Sequence, residues 1–106
     1  MAADVVFTTE SPWYTNSYTW NKITQYAQNC QDELSQGDYQ EYLDVLGVDF
    51  TFLPDDKAVE VAKWLSGVIE RMLAKDAIGP SEADRAHAQE LVSKLNSEIQ
   101  ARKHPR

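Results

Sequence analysis

Cysteine occurs once, at position 30. A single thiol cannot close an internal disulfide, so the fold does not depend on an oxidising compartment. Glycine is nearly as scarce, with four residues set far apart, and neither GxGxxG nor GxxxxGK occurs. Loops that cradle phosphate are thereby excluded. There is no HExxH and no GxSxG elbow, and one cysteine rules out a CxxC pair. No apolar run reaches the length of a membrane span. Asp4 interrupts the one apolar run near the N-terminus, which has no basic flank. A secretory signal is therefore not expected, and a soluble, cytoplasmic protein is.

The most unusual absence is of positive charge. From Ile23 to Asp56 there is no lysine or arginine, whereas eight acids fall in the same stretch. Residues 1 to 56 carry ten acids and one base, Lys22; residues 57 to 106 carry seven acids and nine bases. The net charge of −7 is thus concentrated in the front half. That half is unsuited to direct contact with nucleic acid, whose phosphates demand cations.

What is present is a core. The chain has 106 residues, 42% of them apolar and 10% aromatic, as in a globular protein. A chain of this size buries roughly two-thirds of its unfolded surface. Its cleanest helical repeat is residues 56 to 75. Ala58, Val61, Ala62, Leu65, Val68, Ile69 and Met72 recur at steps of three and four, and Val59, Trp64 and Leu73 widen that face. Only a thin polar row remains, which predicts a helix surrounded by other elements.

Three further helices are predicted. One runs from Ser17 to Gln36 with the stripe Trp20, Ile23, Ala27, Cys30 and Leu34, and Gly37 suits its end. A short one runs from Asp38 to Leu46, closed by Gly47. The last spans residues 82 to 102, entered through a Ser81–Asp84 capping pair, with Ala88, Leu91, Val92, Leu95 and Ile99 turned inward. Residues 4–9 (DVVFTT) and 48–53 read as short strands with each other as partners. Pro54 stops the second, and Asp55 or Asp56 is expected to cap the central helix. The expected architecture is therefore mainly α: one helical-bundle domain over residues 1–106 with a two-stranded piece. Residues 1–3 and 103–106 are expected to fray.

Few residues point to chemistry. Asp84, His87 and Glu90 stand at i, i+3 and i+6, a spacing that specifies little about a metal. Cys30 falls on an apolar stripe and packs as a small hydrophobe. No catalytic residue, metal site or cofactor is expected. The remaining constellation is acidic and aromatic: Asp38, Tyr39, Glu41, Tyr42 and Asp44 on the short helix, followed by Asp49, Asp55 and Asp56. Tyrosines can anchor an interface while carboxylates steer a cationic partner. Tyr39 and Tyr42 also stand at core spacing with Leu43 and Leu46, so they serve either the core or a surface.

The function expected is non-enzymatic binding of a basic protein partner through this face. Its concrete form is an immunity- or antitoxin-type inhibitor of a nuclease-like toxin. The alternatives are a homo-oligomeric helical assembly subunit, completed across the broad face of residues 56 to 75, and, last, a small enzyme using His87.

Overall fold

The computed structural model describes residues 2–29, 47–79 and 81–103. It is mainly helical, with three helices and a three-stranded sheet among these residues. In chain order they are β1 (Ala2–Val6), β2 (Trp13–Asn16), α1 (Ser17–Asn29), β3 (Gly47–Asp49), a 3-10 turn (Phe50–Phe52), α2 (Asp55–Ala74) and α3 (Glu82–Lys103).

β1 lies at the centre of the sheet. It runs antiparallel to β2, with Val5 opposite Trp13, and parallel to β3, with Val5 opposite Val48. Ala3 and Val5 alternate inward, and Phe7 continues their row into the core. The expected pairing of the two β-branched stretches is thus present, with corrections. The strands cover 2–6 and 47–49, not 4–9 and 48–53. A third strand, WYTN, joins the open side of β1. Ala2 and Ala3, expected to fray, pair with Asn16 and Thr15. Lys103, also expected to fray, closes α3.

The second half of VDFTFLP fails as a strand because of Asp49. Its carboxylate accepts a hydrogen bond from the Thr51 amide at 2.9 Å. That side-chain bond turns the chain into the 3-10 helix and offers the backbone an alternative to a ladder. Phe50 is consequently buried and stacks on Phe7, ring centroids 5.6 Å apart, while Phe52 is thrown outward.

The helices follow their apolar periods. In α1, Trp20, Ile23 and Ala27 are buried, and Asn16 caps the helix by accepting from the Thr19 amide at 2.7 Å. The continuation of this helix to Gln36 and the short helix from Asp38 to Leu46 lie outside the described residues. Gly47 opens β3.

α2 is the spine. Val61, Leu65, Val68 and Ile69 are wholly buried, and Glu60, Lys63 and Glu70 remain in the exposed row. Its cap differs from expectation. Pro54 occupies the N-cap with no side-chain bond, while Asp55 and Asp56 fall in the first turn, where they complement the positive helix end. At the other end Asp76 takes a left-handed conformation, φ 54°. The Asp76 and Ala77 amides reach back to the Leu73 and Met72 carbonyls, a Schellman closure made without glycine. Arg85 compensates by holding both the Asp76 carboxylate and the Leu73 carbonyl.

α3 returns alongside α2, and this hairpin is the most extensive contact between described elements. Ser81 and Asp84 form the expected pair: the Ser81 hydroxyl accepts from the Asp84 amide at 3.1 Å and donates to its carboxylate at 2.9 Å. Leu91, Leu95 and Ile99 enter the core with α2, and Glu98 is buried beside them.

Candidate docking turn and its internal clasp

The residues with the most unusual environment are on α3. Leu91, Leu95, Glu98 and Arg102 follow one another at helical spacing, so an acid and a base extend the apolar stripe toward the sheet. The Glu98 side chain is 0% exposed. One carboxylate oxygen accepts from the Thr8 amide at 2.9 Å, and the other accepts from the Thr8 hydroxyl at 2.6 Å and from Arg102 Nε at 2.8 Å.

Arg102, 10% exposed, donates its remaining groups across the turn between β3 and α2. Nη2 meets the Phe50 carbonyl at 2.6 Å. Nη1 meets the Leu53 carbonyl at 2.8 Å and the Asp55 carboxylate at 3.0 Å. The planar guanidinium fork can do this with one side chain, which a lysine cannot. The clasp therefore fixes three separate parts of the chain: the segment after β1, the 3-10 turn and the end of α3.

Burial alone pushes the Glu98 carboxyl up. The hydrogen bonds from Thr8 and Arg102 and the arginine charge outweigh burial and leave it below its ordinary value. Arg102, conversely, is raised: burial lowers it, and Glu98 and Asp55 more than offset that. A carboxyl held low when folded stabilises the protein above the ordinary glutamate range. That stability is lost as pH falls through the lowered folded value, because the unfolded chain takes up the proton first. Urea unfolding from pH 7 down to 3 should show the stability difference between wild type and Glu98→Gln shrinking with acidification. A difference constant across that range would contradict the assignment.

The turn held by this clasp presents Asp49, Thr51, Phe52, Asp55 and Asp56. Of these, Phe52 is 84% exposed. Asp49 is committed to Thr51 and Asp55, still 61% exposed, to Arg102. Asp56 is exposed in the first turn of α2. These are three of the residues expected from sequence to bind a partner, brought to one corner. The other five, Asp38, Tyr39, Glu41, Tyr42 and Asp44, lie outside the described residues. No family model, curated protein or solved structure matches the chain.

Some of the charge division is spent internally. Arg102 pairs with Asp55, and Lys94 approaches Glu10 at 3.9 Å, each joining a base of the back half to an acid of the front. The Asp84–His87–Glu90 set does not converge. Asp84 is held by Ser81, and His87 lies 3.9 Å from Glu90 with its ring stacked on Trp13. Trp13 also donates from its indole to the His87 carbonyl at 2.9 Å. No group of three possible metal ligands occurs among the described residues. No helix among them is long and apolar enough to cross a membrane.

Sequence reasoning missed Glu98, Arg102, Thr8 and Phe52. A signal existed for the first two: an i, i+4 acid–base pair lying in phase with Leu91 and Leu95. Local pattern alone reads Arg102 as a base suited to the negative end of the helix, a role that any base there fills.

Proposed function

We propose that the protein is a non-enzymatic, cytoplasmic binding module whose acidic front half docks on a basic protein. Its concrete form is an inhibitor of the immunity or antitoxin type, covering the cationic, substrate-holding surface of a nuclease-like toxin. The observation that carries this reading is the charge division: ten acids against one base over residues 1–56. Carboxylates in that number can occupy the place of phosphates and steer a cationic surface into contact. The clasped turn supports the reading, since Asp55 and Asp56 stand exposed at its rim rather than inside the fold.

The assembly alternative draws less support. The wide apolar face it requires on α2 is covered within the chain, and Trp64 at its margin is 4% exposed.

The test is affinity capture from the cells that make the protein, followed by titration of the purified partner at low and high salt. A basic partner is expected. Its affinity should fall with ionic strength, since charge steering is screened. Reversing Asp38, Glu41, Asp44 and Asp56 to lysine together should weaken binding by about a hundredfold at low salt, as like charges replace complementary ones. A complex indifferent to both salt and the reversals would overturn the reading.

A further inference from the structure

Resting on the binding reading above, we infer that Phe52 is the apolar anchor of the docking surface. Its occupant is a pocket on a basic protein, apolar at the base and ringed by cations.

The turn Phe50–Phe52 sends its two phenylalanines opposite ways. Phe50 is fully buried against Phe7, while Phe52 is the most exposed large hydrophobic residue described. The turn beneath Phe52 is fixed at both ends. Asp49 accepts from the Thr51 amide, the Leu53 amide returns to the Phe50 carbonyl at 3.2 Å, and Arg102 holds the Phe50 and Leu53 carbonyls. An aromatic on a backbone already ordered loses little further freedom on docking, and such preorganised aromatics dominate interface energetics.

The turn's charge selects the occupant. Asp49, Asp55 and Asp56 flank Phe52 within four positions. The two nearby bases do not cancel this charge: Arg102 is shared between two acids, Glu98 and Asp55, and Lys57 lies 3.3 Å from a further one, Glu60. The ring is therefore offered from an anionic rim, and a complementary pocket needs a cationic one. A second copy does not satisfy this, because a two-fold contact about Phe52 would set each acidic rim against its own image.

The experiment places the photo-cross-linker p-benzoylphenylalanine at position 52 in one variant and at position 14, the exposed Tyr14 site, in another. Both are made in the cells of origin and irradiated. Adducts are identified by mass spectrometry, and the purified partner is titrated against wild type and Phe52→Ala. We expect an adduct from position 52 to a basic protein. Phe52→Ala should bind it at least tenfold more weakly, about 1.4 kcal/mol, with an unchanged thermal midpoint. An adduct from position 52 within the chain or to a second copy overturns the inference, as does equal binding by Phe52→Ala. A basic protein captured only from position 14 leaves the binding reading standing and removes Phe52 from it. No adduct from either position overturns both.

Discussion

Gly47→Ala should detach β3 from the sheet. Gly47 sits at φ 119°, a conformation L side chains rarely adopt, and an added Cβ would lie 1.6 Å from the Asp4 carbonyl oxygen. The obstacle is the backbone of β1 itself, at the point where Asp4 pairs with Gly47, so no side-chain rotation relieves it. Relief requires β3 to leave β1, withdrawing Val48 and Phe50 from the core. Together the two side chains forfeit about 3–6 kcal/mol of burial. That is a large part of the ~5–15 kcal/mol that holds a domain together. The variant should unfold at far lower urea than wild type, followed by circular dichroism, and lose dispersed amide resonances near β1. A thermal midpoint within about 5 °C of wild type, equivalent to roughly 1 kcal/mol for a chain of this size, would show that β3 does not pair as described.

Arg102→Ala should be nearly as damaging, for an electrostatic reason. It leaves Glu98 wholly buried with Thr8 as its remaining described partner, and removes one donor each from the Phe50 and Leu53 carbonyls. Removing one partner of a buried pair costs about 3–5 kcal/mol. Removing both is different. Glu98→Leu with Arg102→Met replaces two charges by apolar groups of similar size and should recover much of the loss, since the pair must itself offset its desolvation. Arg102→Lys should fall close to alanine, because one ammonium cannot reach Glu98, Asp55 and two carbonyls in different directions. Chemical denaturation of the four proteins decides the matter. A loss of less than about 1 kcal/mol in Arg102→Ala, the scale of an exposed ion pair, would mean that the clasp is a surface contact.

The helices were legible because each follows a 3.6-residue period strong enough to survive on its own. α2 begins and ends within one residue of the range its apolar repeat predicts, and the Ser81–Asp84 pair marks the start of α3 unaided. The partnership of β1 with β3 was legible by elimination, since only two stretches read as strands. β2 was not. WYTN follows a proline and is packed with aromatics, and its strand identity comes from Trp13, whose buried ring and bonded indole seat it against His87 on α3. That is a tertiary contact, invisible to local pattern. The site shows the same division. Asp49, Asp55 and Asp56 stand out by composition. The clasp and the outward Phe52 depend on residues 8, 50 and 102 meeting in space. The alternation of Phe50 and Phe52 pointed to the wrong element, because the Asp49 side chain competes with the strand ladder for the backbone.

The bonds between Thr8 and Glu98 span 90 positions of sequence. Closing so long a loop is entropically expensive, and the reward arrives only once the sheet and the α2–α3 hairpin have brought the two ends together. The clasp accordingly belongs late on the folding route, and its strength acts mainly as a brake on opening. That brake governs lifetime: how long a folded copy resists a protease before it next opens.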